Sequence, residues 1–162
     1  MELITFILGA IGGFVVHSLS MKVSFKQRTI DNKVKVYDAI IGHWVRMRNI
    51  IYSVHPDITG EPVPPGTERD FDRIYGESQQ LIGEAILICE DKSLTEDINT
   101  LNEKLYRTRW GQFNLDEANK EIEIIKKEAF EIIERMREDI KSNTILHWSD
   151  FVHIFSGLKK SA

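Results

Sequence analysis

At 162 residues, with 42% hydrophobic and 28% charged residues and a formal net charge of −4, the chain has the length of one domain. This composition excludes a collagen-like chain, a disulfide scaffold and a wholly disordered tail. The single cysteine, Cys89, excludes an intramolecular disulfide, so nothing calls for an oxidising compartment.

The charge is unevenly distributed along the chain. Between Lys22 and Arg48 there are seven Lys or Arg residues against two Asp residues, a net charge of +5. Between Asp57 and Lys104 there are twelve acids against four Lys or Arg residues, a net charge of −8. A basic block followed by an acidic block indicates a chain that faces two environments.

The first element is an apolar run at the N-terminus. Leu3 to Leu19 contains no formal charge apart from the titratable His17, and its seventeen residues lie at the short end of what spans a bilayer as a helix. The alternatives are an uncleaved membrane anchor, a cleaved signal peptide and a buried core helix. The anchor is favoured, because no Lys or Arg precedes the run and the run is apolar on all sides. We therefore predict a transmembrane anchor at 1–21.

The flanks of this predicted anchor indicate its orientation. The basic block follows the run, so the positive-inside rule places residues 22–162 in the cytoplasm. The prediction is a single-pass protein of the cell inner membrane, with membrane lipid as a partner. The lysines after the span would add contacts to anionic headgroups.

The predicted span carries a stripe of small and polar residues at four-residue spacing, namely Thr5, Gly9, Gly13 and His17. Gly9 and Gly13 form a G-x-x-x-G pair, which lets helix backbones approach closely in lipid. The stripe predicts a homo-oligomer held together by its spans. The same pattern is also frequent by chance in anchors, and a histidine near the end of a span is often an interfacial residue.

The remainder of the chain has the apolar spacing of helices, interrupted by one proline-rich loop at 55–67 that holds all four prolines. Four helices are predicted by apolar residues at three- and four-residue spacing, which are Ile30, Val34, Tyr37, Ile41, Trp44 and Ile51; Phe71, Ile74, Leu81, Ala85 and Ile88; Leu94, Ile98, Leu101 and Leu105; and Leu115, Ala118, Ile122, Ile125, Ala129, Ile132, Met136 and Ile140. A short aromatic-rich helix at 147–158 either caps the bundle or binds a membrane or a partner.

No alternating β pattern occurs in the sequence, so the predicted fold is all-α. It consists of an N-terminal transmembrane helix followed, in residues 22–162, by an antiparallel bundle of about four helices and the short C-terminal helix. Residues 110–114 are predicted to form a turn.

Local signals indicate helix ends and surface pairs. Thr67 to Asp70 resembles a capping box, and Ser93 or Thr95 is expected to cap the third helix. Ion pairs at i, i+4 on the fourth helix are expected for Glu123–Lys127 and Glu131–Arg135. Close helix packing is expected at Gly42, Gly76 and Gly83.

The sequence lacks the motifs that carry common chemistries. No two of the five histidines have the H-E-x-x-H spacing and no E-x-x-H occurs, so no metal is expected. G-x-S-x-G and Gly-rich phosphate loops are missing from the predicted helical part, and Cys89 follows an apolar run where a buried, inert thiol is the default. We predict a protein that is not an enzyme and carries no cofactor.

Two clusters, at 43–48 and 106–110, combine arginines with large aromatic residues. Arginine makes bidentate contacts to phosphate and aromatic rings stack on bases. A small nucleotide ligand is therefore predicted to bind, if it binds at all, at Arg46, Arg48, Arg107, Arg109 and Trp110. The alternative is that the tryptophans are core anchors and the arginines pair with the acid-rich second helix. Long nucleic acid is not expected, because residues 22–162 sum to −3 and show no continuous basic face.

The layout of a span at Leu3–Leu19, a basic block and a helical remainder with Arg/Trp clusters resembles small bacterial single-span proteins with a cytoplasmic helical domain. Some of those proteins are membrane effectors in antiphage defence, including accessory proteins that answer a cyclic oligoadenylate signal. The resemblance lies in layout, so it transfers no site residue.

Two functional hypotheses follow. The first is a non-enzymatic, membrane-anchored interaction module that self-associates through its span and binds an unknown protein partner with its cytoplasmic helices. The alternative is a ligand-gated membrane effector whose cytoplasmic domain binds a small anionic nucleotide signal such as a cyclic oligonucleotide.

Overall fold

The computed structural model describes residues 2–109 and 114–142; within them, nothing is described of the side chains of residues 2–16, 19, 57, 58, 115 and 118. The helices are α1 (Glu2–Val54), α2 (Pro56–Thr59), α3 (Thr67–Ile88), α4 (Lys92–Arg107) and α5 (Leu115–Ser142). No strand occurs in this part of the chain, which confirms the all-α prediction. The predicted Pro-rich loop contains the one-turn helix α2, and the predicted helix at 147–158 lies outside the described residues.

The chain divides into two units, residues 1–31 with 141–162 and residues 32–140. In the first unit the backbone of residues 2–31 is helical, and its polar side chains bond locally. The Gln27 side-chain amide donates to Asp31 at 2.9 Å, and the Thr29 hydroxyl donates to the carbonyl of Phe25 at 3.1 Å.

The structure does not support the predicted transmembrane anchor at 1–21. Among the described residues, no helix is long and apolar enough to cross a membrane. Of the stripe predicted to pack spans together, His17 is exposed, and the side chains of Thr5, Gly9 and Gly13 lie outside the described part.

Residues 32–140 contain a four-helix bundle made by the second half of α1 with α3, α4 and α5. Its long helices run antiparallel in chain order, because contacts join the start of one to the end of the next. The Tyr106 hydroxyl at the end of α4 bonds Asp72 at the start of α3 at 2.8 Å, and Arg135 in the second half of α5 bonds Asp91, just before α4, at 2.9 Å. The bundle buries most of the predicted apolar residues of α3, α4 and α5.

The buried face of α1 differs from the predicted one. The residues that point into the core recur with heptad-like spacing, and we call them the inner stripe; they are Lys33, Tyr37, Ile40, Trp44, Met47 and Ile51. Val34, a predicted core residue, is 46% exposed instead. The prediction chose the wrong phase at this end because it followed apolar residues alone and counted Lys33 with the basic block.

The caps of α3 and α4 also differ from the predicted ones. α3 follows Gly66, which has a φ of 91° and makes no side-chain cap, so the predicted Thr67–Asp70 capping box does not form. α4 is capped by Asp91, whose carboxylate accepts from the backbone N–H groups of Ser93 and Leu94. The Arg135 guanidinium, with help from Ser93, lowers the pKa of Asp91 to about 2. The cap is therefore Asp91, two residues before Ser93 and four before Thr95, the two caps that the sequence predicts.

The ion pairs on α5 differ from the predicted ones. Lys126 pairs with Glu123 and Arg137 with Glu134, both at i, i+3. Arg135 instead bridges to α4, where it contacts Asp91 at 2.9 Å and also Asp97. Tertiary contact to a helix N-terminus therefore replaces the local pair expected for Arg135.

The glycines within helices do not mark close packing. A Cβ added at Gly42, Gly76 or Gly83 would meet nothing within 4 Å, and all three positions are exposed. The expectation of close packing there was wrong, because the bundle buries other faces of α1 and α3.

We expect Gly76→Ala and Gly83→Ala each to raise the free energy of unfolding by about 0.5–1 kcal/mol, because alanine lowers the backbone entropy of the unfolded chain and its Cβ meets no clash in the helix. Urea denaturation measures the shift. Gly66→Ala is the matched control and should destabilise, since its φ of 91° disfavours a side chain. A loss of stability at Gly76 and Gly83 would contradict the open surroundings of these positions.

Candidate interaction surface

A buried ion pair determines which side of α1 faces the core. The Lys33 ammonium is fully buried and contacts both oxygens of the Asp139 carboxylate, at 3.0 and 2.9 Å. The Tyr37 hydroxyl donates to the same carboxylate at 2.8 Å. Burial, followed by hydrogen bonds with Cys89 and Asp139, raises the pKa of Tyr37. Because buried charges require such partners, α1 must turn Lys33 and Tyr37 toward α5.

A second polar contact lies in the middle of the core. The Trp44 indole N–H donates to Oδ1 of Asn102 at 3.1 Å, and the Ser78 hydroxyl donates to the same oxygen at 2.8 Å. This contact links α1, α3 and α4 at one level of the bundle. Trp44 is 5% exposed and is therefore a core residue. Nδ2 of Asn102 has no partner among the described residues, so the network is only partly satisfied.

The orientation of the inner stripe leaves a neighbouring face of α1 accessible. Each residue of this face follows a residue of the inner stripe by one position, about 100° around the helix. We call it the outer stripe, and it consists of Val34, Asp38, Ile41, Val45, Arg48 and Tyr52. Val34 and Val45 are 46% and 43% exposed, and Ile41 and Tyr52 are half-buried. The outer stripe therefore presents apolar side chains to solvent.

An apolar cleft of about 100 Å³ lies beside the outer stripe. Its walls come from α1 and α5, and residues of α4 complete its lining; they are Ile41, Trp44, Val45, Arg48, Leu101, Leu105, Ile122, Ile125, Lys126, Ala129 and Ile133. Arg48 and Lys126 are the two cations of this lining. The cleft is much smaller than the roughly 300–1,000 Å³ that small-molecule sites usually enclose.

The apolar surface continues onto α5. Phe130 is 65% exposed and lies one helical turn from Lys126 and Ile133, which line the cleft. We call the outer stripe, the cleft and Phe130 together the α1/α5 face. Scattered exposed apolar residues are normal, but a continuous set beside an apolar cleft is typical of an interaction site.

The structure places the predicted ligand-binding arginines in different surroundings. Arg46 and Arg107 are exposed, and Arg48 borders the apolar cleft and donates to Asn49 at 3.1 Å. Arg109 contacts Asp72 of α3 at 3.3 Å. This contact agrees with the alternative prediction for Arg109, in which the arginines pair with the acid-rich second helix. Trp110 lies outside the described residues.

The aromatic and polar cluster between α3 and α4 contains Tyr106 and Arg109 of the predicted 106–110 cluster, and its other members were not predicted. The rings of Tyr75 and Tyr106 stack with centroids 4.1 Å apart, and the Arg109 guanidinium lies 4.7 Å from the centre of the Tyr106 ring. Burial, followed by the hydrogen bond to Glu103, raises the pKa of Tyr75 to about 12. Tyr75 and Gln79 lie four residues apart on α3, and Asn99 and Glu103 lie four residues apart on α4; this spacing is the signal that the sequence contains. Only the packing of α3 against α4 brings the two pairs together.

His43 and Cys89 have structural contacts. Nδ1 of His43 lies 2.7 Å from the carbonyl of Ala39, and Nε2 lies 3.2 Å from Glu77 of α3. The contact from His43, together with Arg73, lowers the pKa of Glu77. The Cys89 thiol is half-buried rather than buried and donates to the carbonyl of Asp91 at 3.3 Å. Among the described residues, no group of three or more His, Cys, Asp or Glu side chains could hold a metal ion.

Comparison with known protein families, with curated proteins and with solved structures finds no match to this chain.

We expect Lys33→Met to lower the free energy of unfolding by about 3–5 kcal/mol, because it deprives the buried Asp139 carboxylate of the Lys33 ammonium. Urea denaturation measures the loss. Lys35→Met, which removes an exposed lysine two residues away, should stay within about 0.5 kcal/mol of the parent chain. Equal unfolding midpoints for both variants would show that the buried pair does not hold α1 against α5.

Proposed function

We propose that this protein is a non-enzymatic interaction module whose bundle binds a partner helix along the α1/α5 face. Binding of an amphipathic helix by an apolar groove is a recurrent recognition mode, in which apolar side chains supply affinity and charges at the edge supply orientation. The proposed partner is therefore a helix with an apolar stripe and an acidic residue placed to meet Arg48.

The observation that carries this proposal is the exposure of Val45 in the lining of an apolar cleft, with Phe130 exposed one helical turn from that lining and Val34 exposed one heptad before Ile41. Burying such side chains gains about 25 cal/mol per Å² of apolar surface removed from water. Three titratable groups, Lys33, Tyr37 and Asp139, bond one another on the inner side of the bundle. That arrangement favours binding over catalysis as the role of the bundle.

The ligand-gated alternative has weaker support. A nucleotide signal needs several cations that converge on phosphate groups. Arg109 contacts Asp72 and the Tyr106 ring, whereas Arg48 borders a cleft of about 100 Å³ whose lining is mostly apolar. These surroundings favour a partner side chain over a phosphate.

Site-specific photocrosslinking in living cells tests the proposal. A photoreactive phenylalanine at Phe130 should give discrete crosslinked products, and Val45→Glu in the same chain should reduce them at least about tenfold, since a charge in an apolar contact weakens binding by more than about 1.4 kcal/mol. The matched control places the photoreactive residue at Gln80, an exposed position on α3. Products that do not depend on Val45, or that form equally at Gln80, would argue against this face.

The membrane anchor at 1–21 and the cytoplasmic location of residues 22–162 stay predictions from the sequence, supported by the apolar run Leu3–Leu19 and the basic block that follows it. Alkaline carbonate extraction of membranes tests them. The full chain should stay in the membrane pellet, and a chain beginning at Met21 should be released. Complete extraction of the full chain by carbonate would remove the anchor from the proposal.

A further inference from the structure

The outer stripe has the spacing of a coiled-coil seam. Its residues follow one another at intervals of 4, 3, 4, 3 and 4 positions, which is the heptad pattern that keeps one side of a helix facing a neighbouring helix. The inner stripe has the same spacing one residue earlier and packs against the bundle. α1 therefore carries two adjacent seams, of which the inner one is buried in the bundle and the outer one is half-buried or exposed.

We propose that the outer stripe binds the outer stripe of a second copy of this chain, with the two α1 helices antiparallel and the two-fold axis at the level of residue 43 along α1. This inference rests on the α1/α5 face of the proposed function and names its partner. It does not use the predicted contact between spans, because an antiparallel pair places the N-terminal ends of the two α1 helices at opposite ends of the contact. In a two-fold contact, residue i meets residue j and j meets i. Centred on His43, the stripe pairs with itself as Val34 with Tyr52, Asp38 with Arg48, and Ile41 with Val45.

Charge complementarity selects this register. Asp38 and Arg48 lie five positions on either side of His43, so the antiparallel pair forms two ion pairs, one at each end of four central apolar residues. A parallel pair would place Asp38 against Asp38 and Arg48 against Arg48. An antiparallel pair shifted by one heptad would place Asp38 against Ile41, or Arg48 against Val45. Like charges and unpaired charges in a contact disfavour each of these alternatives.

Asp38 and Arg48 are both available to form these ion pairs. The Asp38 carboxylate is exposed and makes no hydrogen bond or ion pair with the residues that the structure describes. Arg48 donates there only to its neighbour Asn49. By contrast, the cations on the nearby surface of α5 have partners, Lys126 with Glu123 and Arg137 with Glu134. Ile41 and Val45 also border the apolar cleft, which offers space next to the proposed axis.

Charge exchange tests the pairing in the full-length chain, purified in one mild detergent throughout. Asp38→Arg places two cations in each contact and Arg48→Asp places two acids there, so each variant should raise the dimer dissociation constant at least about tenfold. A mixture of the two variants, and the double variant with both changes, should return within about threefold of the parent value. Sedimentation equilibrium measures all four.

The controls change the same charges away from the outer stripe. Lys35→Asp matches Arg48→Asp, and Glu84→Arg matches Asp38→Arg; both sites are exposed, and both variants should associate like the parent. A parent chain that is monomeric at about 100 μM, well above a micromolar dissociation constant, would overturn the inference. So would failure of the mixed variants to recover.

Disulfide trapping tests the direction of the helices in a Cys89→Ala background. Val34→Cys should crosslink to Tyr52→Cys on a second copy and not to itself, because antiparallel helices place the two Val34 positions about 27 Å apart. Self-crosslinking of Val34→Cys would show a parallel pair and overturn the inference. A monomeric chain that still crosslinks to another protein at Phe130 in cells would also overturn it, while leaving the proposed function intact.

Discussion

The buried contact of Lys33 with Asp139 is the constraint on which the accessible surface of this bundle depends. A lysine ammonium that is removed from water must have a counter-charge. For Lys33 the Asp139 carboxylate is that counter-charge, so the start of the bundle half of α1 turns toward the end of α5. Tyr37 bonds the same carboxylate one turn later. Because side chains of a helix rotate as one body, these contacts also determine that Val34, Asp38 and Ile41 lie outside the core.

The core combines this directional contact with ordinary apolar packing. Isoleucine and leucine side chains of α3, α4 and α5 bury without strict orientation, whereas Asn102 accepts from both Trp44 and Ser78 and so relates three helices at one level. Polar contacts of this kind contribute specificity of register, since a rotated helix would leave the same atoms buried without partners. The α1/α5 face is the consequence for the surface, because the groups that must be buried occupy the adjacent side of α1.

Most of the fold was predictable from the sequence, and the errors have a common cause. Long periodic segments predicted α3, α4 and α5 and most of their buried apolar residues. The errors fell on Lys33, on the cap at Asp91, on Arg135 and on the exposed glycines, each of which depends on what a second helix places opposite. The candidate surface was less predictable: the sequence singled out Arg48 for its charge, and its position beside an apolar cleft follows from the contact between α1 and α5.

By itself the sequence determined that this protein is all-α, where its long bundle helices lie, and that an apolar run precedes a basic block, because these follow from residue periodicity and local charge. Only the tertiary structure decided the rotation of α1, since a period of 3.6 residues fits the inner and the outer stripe almost equally well. The choice between two stripes one residue apart depends on a carboxylate more than one hundred positions away, at Asp139, and no local pattern contains that information.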